Sequence, residues 1–311
     1  MTGSGTQQDP YILTTWQELI ASREENTYSE WHGGDLDFND IQPSGFTSTI
    51  TIYGGIDFKN ATFKNFRQIG NFNDFVIFRS VGGIYNLNFL NFYITKTDGY
   101  SDSTIFRFYW KQRSLPYNNL KFSGRIDVNM NRGDYTVPIF GQMWNNSGYY
   151  AGINGLSANI ECVVTNPVSS STNRITLPIF SGTNQSYTYG TEVTVKNCDV
   201  TINIDYTDSK TSVPLLVSST MQNCRIEGKV TYNGNTGGQI MYSGSSYSNG
   251  GGNRFLLEGN GYYIYQGGVS VYDSSKMSLA SGSSECVKGC TSSQINSPSY
   301  LHSIGFPIGV N

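Results

Sequence analysis

Two short apolar–polar patterns take turns along most of the chain. The first recurs at Ile56 (IDFKNATF), Leu87 (LNFLNFYIT), Leu120 (LKFSGRIDV), Leu156 (LSANIECVV), Cys198 (CDVTINIDY) and Cys224 (CRIEGKVTY). In each copy apolar and polar residues alternate, as in a strand with one face in a core and the other in water. The second lies between them: VIFRS at Val76, TIFRF at Thr104, PIFGQ at Pro138, PIFSG at Pro178, PLLVS at Pro214 and QIMYS at Gln239. Its central residues are Ile77, Ile105, Ile139, Ile179, Leu215 and Ile240. Pro138, Pro178 and Pro214 share the strand-entry position, where a missing N–H costs least.

Successive copies of the first pattern are 31, 33, 36, 42 and 26 residues apart. Unequal units that keep two strand types in fixed order predict an all-β β-solenoid, each unit one coil hydrogen-bonded to the coils before and after it. The stretches VKNCDVTINIDY and MQNCRIEGKVTY then lie one rung apart, with Cys198 stacked on Cys224 roughly 4.8 Å away. Buried free cysteine behaves as a small hydrophobe, so thiols are expected there and no disulfide. Cys286 and Cys290 are spaced for a local disulfide or half a metal site, but no second pair accompanies them.

Both ends of a solenoid must be covered. TTWQELIAS carries a capping box, Thr15 to Glu18, ahead of Trp16, Leu19 and Ile20, which predicts a short amphipathic helix plugging the first coil. At the other end a helix start at Thr291 precedes apolar Ile295, Tyr300, Leu301, Ile304 and Phe306. Residues 243–255 (SGSSYSNGGGNRF) read as a mobile Gly/Ser-rich loop.

These ends carry a resemblance. GSGTQQDPYILTTWQELIAS resembles the opening GxGTxxDPYxIxTxxEL of many right-handed parallel β-helix proteins of tailed bacteriophages, of the pectin-lyase-like type. NDIQPSGFTSTITIYGGIDFKNATFKNF, residues 39–66, resembles their first coil, and SPSYLHSIGFPIG their closing segment. The expected fold is a right-handed single-stranded parallel β-helix of about six full coils, roughly 30 Å long at one rung per coil, with a short N-terminal capping helix. Residues 1–48 would form the N-terminal cap and helix leading into the first coil, 49–272 the coils and 273–311 the C-terminal cap.

Charge narrows the function. Only 14% of residues are charged and the net charge is −3. No basic cluster can neutralise a run of phosphates, so no nucleic acid partner is expected. The opening lacks the basic start and apolar core of a secretion signal. No apolar run approaches the roughly 18 residues of a membrane span. A soluble protein made in a bacterial cytoplasm, with no membrane partner, is the expectation.

Catalytic chemistry finds little support. Glycoside hydrolysis needs two carboxyl groups roughly 5 to 9.5 Å apart. The outward row Lys121, Ser157, Asp199, Arg225 and the row Arg125, Glu161, Asn203, Lys229 set each acid beside a base, hydroxyl or amide, as a solvated structural face would. The alignment leaves room for Arg125 to slip by one. Asp205 and Glu227 are the best remaining acid pair, on different columns. Asp35, Asp37 and Asp40 form a D-x-D-x-x-D cluster that reads as an Asp-rich turn rather than a Ca²⁺ loop. His32 and His302 are the only histidines. No P-loop, HExxH or nucleophile elbow occurs. Neither a cofactor, a metal nor catalysis is expected. The sequons at Asn60, Asn145 and Asn184 carry no reading without secretion.

Aromatic residues instead gather on one set of turns. After successive PIF-type strands come Tyr109, Trp110, Trp144, Tyr149, Tyr150, Tyr187, Tyr189 and Tyr247. Such rings among Asn, Gln and Ser suit sugars, a protein partner or a fold back onto the coil. As the resemblance implies, the expected role is a non-enzymatic virion structural protein: a head or tail decoration, fibre or appendage. Its partners would be other virion proteins, host cell-surface polysaccharide and further copies of itself, trimers being common among phage fibres. A tailspike-type polysaccharide depolymerase or lyase is the first alternative and a bacterial surface adhesin the second.

Overall fold

The computed structural model describes residues 1–21, 27–41, 49–52, 55–68, 76–80, 83–97, 105–108, 117–129, 135–136, 139–143, 151–165, 175–176, 179–183, 193–207, 219–232, 235–236, 251–261, 268–279 and 286–307. The chain begins with β1 (Tyr11–Leu13), α1 (Trp16–Ile20), β2 (Tyr28–Trp31), β3 (Leu36–Asp37), β4 (Thr49–Ile52), β5 (Gly55–Asp57), β6 (Thr62–Lys64), β7 (Val76–Ser80) and β8 (Ile84–Thr97). It continues through β9 (Phe106–Phe108), β10 (Tyr117–Asn129), β11 (Tyr135–Thr136), β12 (Phe140–Met143), β13 (Ala151–Thr165), β14 (Ile175–Thr176), β15 (Phe180–Thr183), β16 (Val193–Lys196) and β17 (Asp199–Thr207). It ends with β18 (Ser219–Gln222), β19 (Arg225–Tyr232), β20 (Asn235–Thr236), β21 (Arg254–Gly261), β22 (Ser270–Asp273), β23 (Met277–Leu279), β24 (Val287–Cys290), α2 (Ser292–Ile295) and α3 (Pro298–Ser303).

Seventeen strands join one sheet; β4, β7, β9, β12 and β15 form a second, and β11 pairs with β14. Among the described residues every strand pair is parallel except β19 with β20. Parallel neighbours require a crossover, so the chain must circle before each new rung. This is a β-solenoid. Among the described residues the main sheet has eleven levels: β1, β2, β5, β8, β10, β13, β16 with β17, β18 with β19, β21, β22 and β24. The sequence pattern indicated about six coils. The extra levels lie at the ends, where Tyr11 pairs with Ser29 and Ser270 with Val287. Apart from the eight-residue β21, the strands of those coils hold only three or four residues, too few to display a period.

The first series holds its register from Leu87 to Leu120 to Leu156, and the pairings Ser157–Asp199 and Asp199–Arg225 carry it on to Cys198 and Cys224. Its first member does not belong. Ile56 pairs with Ile84, and Thr62 pairs with Asn88, which brings Ala61 beside Leu87. In the second series Phe78, Phe106, Phe140 and Phe180 stand in register, and Ile105, Ile139 and Ile179 are fully buried. Phe106 and Phe140 stack with centroids 5.2 Å apart and planes 19° off parallel. Offset-stacked and edge-to-face ring pairs each add about 0.5–1.5 kcal/mol beyond their buried area. Pro138, Pro178, Pro214, Leu215 and Ile240 lie outside the described residues.

All five cysteines are free. Cys198 and Cys224 are buried, and their thiols donate to Lys196 O (3.1 Å) and Gln222 O (3.3 Å). Burial pushes the Cys198 thiol well above its ordinary pKa. The segment expected to be a loop at 243–255 is partly core: Asn253 and Phe255 are fully buried. Asn253 Nδ2 donates to Met221 O (3.0 Å) and its Oδ1 accepts from Cys224 N (3.0 Å), both on the preceding coil, and Nδ2 also donates to Ser270 Oγ (3.2 Å) on the following one. At the N-terminal end α1 has the capping box at Thr15 and Glu18, with Trp16 and Leu19 buried. At the C-terminal end Thr291 caps α2 with Gln294. Val271, Cys290, Ile295, Leu301 and Phe306 form a cluster of their own there.

One corner repeats from coil to coil in left-handed backbone: Asn86 (φ 56°), Asn119 (55°), Gly155 (73°), Asn197 (52°), Asn223 (58°) and Gly252 (69°). Each stands immediately before an inward residue. Gly adopts this conformation freely, and Asn at lower cost than most other residues. The side chains form a ladder. Asn86 Nδ2 donates to Asp57 Oδ1 (2.9 Å) and Asn119 Nδ2 to Asn86 Oδ1 (3.0 Å). Gly155 has no amide, so Asn154 Oδ1 accepts from Asn197 Nδ2 (2.7 Å), and Asn223 Nδ2 donates to Asn197 Oδ1 (3.3 Å). A second ladder runs from Asp37 through Asn65 (2.8 Å) to Asn91 (2.6 Å). It stops there: Leu90 and Asn91 together oppose Ser123, a bulge, and β10 and β13 then run straight through for 13 and 15 residues.

Asn197→Ala should lower stability by about 2 kcal/mol through lost amide bonds and left-handed strain, and Asn197→Gly by less, because glycine removes the strain; thermal melts should rank wild type above Gly above Ala. Asp37 is held below its ordinary pKa, first by the Asn39 backbone N–H and then by the Asn65 amide. Its contribution is therefore whole above the unfolded aspartate pKa and is lost as pH falls through the lower folded value. Carbon-detected NMR titration should give a depressed Asp37 midpoint that rises in Asn65→Ala.

Candidate functional site

The outward face of the main sheet follows from the strand period of two. Residues between the buried ones of β10, β13, β17 and β19 point to solvent and stack in columns. The observed columns are Lys121–Ser157–Asp199–Arg225 and Arg125–Glu161–Asn203–Lys229. Both match the sequence alignment. The slip allowed for Arg125 falls on its other side, at the Asn91 bulge, where Arg125 pairs with Tyr93.

Acids on this face bond to neighbours that are not acids. Arg225 pairs with Asp199 (2.9 Å) and with Glu227. Asn203 Nδ2 donates to Glu161 Oε1 (2.8 Å). Asp127 accepts from Tyr93 Oη (2.7 Å) and Arg125 Nε (2.8 Å), and Asp205 from Thr231 Oγ1 (2.6 Å). Toward the N-terminal end Glu30 meets Lys59 (2.9 Å) and His32 (3.1 Å), and Asp37 meets Lys64 (3.2 Å). The Lys59 ammonium, then His32, lowers the Glu30 pKa. Stacking at the rung spacing favours this order, because like charges directly opposite are destabilising; an exception is Arg254, which pairs with Arg225 on the adjacent rung and lies over the Phe306 ring. Asp205 and Glu227 do lie on different columns, Glu227 opposite Thr201 and Asp205 opposite Thr231.

The same face is hollowed. A trough of about 720 Å³ crosses β8, β10, β13, β17 and β19 along the Tyr93–Arg125–Glu161–Asn203–Lys229 column. The column beside it, Val163–Asp205–Thr231, forms the second side, and Asp40 and Asn91 close one end. Two glycines let the rungs approach. Gly124 and Gly228 occupy one column through Ile160 and Ile202. A Cβ at Gly228 (φ 134°) would lie 1.7 Å from Ile202 O, and one at Gly124 2.3 Å from Phe92 O.

Sequence alignment missed the hollow because periodicity gives neighbours, not curvature. It also left unread the column Asp127–Val163–Asp205–Thr231, which two more residues along each strand supply. The D-x-D-x-x-D segment spans β3 and the turn after it, and two of its carboxylates bind backbone: Asp35 accepts from Thr62 N (2.7 Å) and Asp37 from Asn39 N (2.9 Å). The aromatic candidates Tyr109, Trp110, Trp144, Tyr149, Tyr150, Tyr187, Tyr189 and Tyr247 lie outside the described residues. Their anchors are described: β9, β12 and β15, which precede three of these segments, are adjacent rungs of the second sheet. Among the described residues no helix is long and apolar enough to cross a membrane.

Gly228→Ala should lower the melting temperature, since no rotation of a methyl avoids the Ile202 backbone, with a cost of about 2 kcal/mol or more; unchanged melting would contradict the close approach.

No family model and no curated protein matches the chain. Among solved structures it is similar to a Bacteroides ovatus protein described as a "putative immunoglobulin A1 protease". Identity is 17%, the match covers 83% of this chain and 86% of that one, and the TM-score is 0.42. Nothing about the chemistry of this chain follows from that likeness, and the fold assignment rests on its own strand pairing: a mostly-strand, parallel β-solenoid.

Proposed function

We propose that the protein is a non-enzymatic structural component of a tailed-bacteriophage particle: a head or tail decoration, fibre or appendage. In this reading it is a right-handed single-stranded parallel β-helix, with α1 closing the first coil and the segment from Thr291 to Phe306 closing the last. The observation that carries the non-enzymatic part is the outward face, whose carboxylates are engaged by bases, amides and hydroxyls of adjacent rungs. Such a surface is rigid and costs little entropy to present to a partner. The phage assignment is supported by the opening, first-coil and closing motifs of the sequence.

A second reading, polysaccharide hydrolysis, is favoured by one specific observation. Asp127 and Asp205 share a column with Val163 between them, a two-rung separation of roughly 10 Å. That is just beyond the roughly 6.5–9.5 Å used by inverting glycosidases. Against it, Asp127 already accepts two bonds, from the Tyr93 hydroxyl and the Arg125 guanidinium.

Quantitative mass spectrometry of purified particles from the source culture should find this chain at a fixed copy number, and purified protein should release no reducing ends from host polysaccharide. Absence from particles overturns the virion role. Reducing-end release that disappears in Asp205→Asn establishes the hydrolytic reading instead.

A further inference from the structure

We propose that α2 and α3 form a strap that lifts from the outward face as one unit while the main core stays closed, baring an apolar strip. The device belongs to the C-terminal end alone and is independent of the virion reading.

Register shows which side the strap takes. The outward column Asp199–Arg225 continues through Arg254 and Val271 to Lys288. By the strand period of two, Leu256, Val269 and Cys290 face outward with it. With Val271 they meet Ile295, Tyr300, Leu301, Ile304 and Phe306 of the strap. Phe255, Tyr272 and Val287 point the other way and pack in the main core. The sheet therefore separates two cores, and the segment after Thr291 covers the last coils from their outer side.

Attachment gives the second argument. The described backbone–backbone bonds of the strap close within it, from Ile295 N to Thr291 O through to Phe306 N to Leu301 O. Lifting it breaks no rung of the solenoid. Side chains tie it to the sheet: Ser292 Oγ donates to Asp273 Oδ2 (2.8 Å), Lys288 Nζ donates to Ile304 O (3.3 Å), and the Arg254 guanidinium lies 5.4 Å from the centre of the Phe306 ring. Thr291 alone joins β24 to α2 and is the hinge.

Size gives the third. The main core runs along the solenoid, whereas the cluster under the strap is small and buries far less apolar area. Such a unit opens at a lower free energy than the whole fold. Helices of four and six residues are well under the ~12–15 that hold alone in water. Off the sheet they unwind, so the strap is docked whole or released whole. Release bares Leu256, Val269, Val271 and Cys290 on a face whose central columns are polar.

Cysteines on both sides of the sheet make the test. Cys290 is 0% exposed and lies under the strap, whereas Cys162, Cys198 and Cys224 lie in the main core. The native full chain is pulsed with iodoacetamide and each thiol is read by mass spectrometry after digestion. Cys290 should label at least about tenfold faster than the other three. Leu301→Ala should speed Cys290 labelling about a hundredfold and Ser292→Ala about tenfold, with Cys198 and Cys224 unchanged. Ile202→Val should do the reverse, speeding Cys198 and leaving Cys290 as it was. The milder Ser292→Ala keeps the test decisive if Leu301→Ala does not fold. Cys290 labelling together with or after the core thiols overturns the proposal, as does equal acceleration of Cys198 in the strap variants. Reaction of Cys290 at the rate of an uncovered thiol overturns it too. None of these outcomes bears on particle copy number, so this inference and the virion reading fail separately.

Discussion

Every level of the molecule depends on returning the chain to the same corner, one rung higher, coil after coil. Strand pairing fixes the rise at roughly 4.8 Å but does not say where a coil should bend. The bend is set by a residue in left-handed backbone, found at Asn86, Asn119, Gly155, Asn197, Asn223 and Gly252. Asparagine serves twice there. It tolerates the positive φ, and its amide donates to the coil below while accepting from the coil above. Where glycine takes the corner the ladder would break, and at Gly155 the preceding Asn154 supplies the missing carbonyl. Each ladder begins on an aspartate, Asp57 or Asp37, which can only accept and so provides a natural first rung.

The same repeat disciplines the charges. Any two outward residues in one column are held a rung apart for the life of the fold, so a run of like charges could not relax by moving away. The central columns mix signs with amides and hydroxyls, as in Arg125–Glu161–Asn203–Lys229, and a like pair, Arg225 opposite Arg254, lies toward the C-terminal end. These exposed pairs each add little to stability. Their consequence is shape: side chains that would otherwise sample many rotamers are bonded to the next rung, and the face is ordered along the axis.

How much of this the sequence displays varies with the length of the strands. In the central coils thirteen- to fifteen-residue strands repeat the alternation often enough to fix both register and facing, and Leu87, Leu120, Leu156, Cys198 and Cys224 align as the pattern says. At the N-terminal side the pattern misleads. Ile56 is apolar and buried, as Leu87 is, but a turn at Lys59 and Asn60, both with positive φ, lies between Ile56 and the true partner Ala61. Counting residues cannot see a turn that leaves hydrophobicity unchanged. The end coils were illegible for the opposite reason, because three-residue strands such as β1 and β23 contain too little period to detect. Asn253 shows the same limit chemically: a polar residue in a Gly/Ser-rich stretch reads as loop, yet it is fully buried because each amide atom finds a partner.

The trough was not legible because it arises from a change between coils, not from any one of them. Through β8 the chain turns at a second corner, held by Asp37, Asn65 and Asn91. From β10 onward that corner is gone and the strand runs straight. Two geometries cannot stack without a mismatch, and the mismatch is the bulge at Asn91 opposite Ser123. Bulges bend and twist a sheet locally, and Asp40, Asn91 and Gly124 at this junction line one end of the hollow. Gly228 admits a second close approach three rungs on from Gly124, in the same column. This concave region thus begins where the solenoid alters its cross-section. A coil boundary of this kind is where a repeat protein can acquire a binding site without giving up the stacking that holds it together.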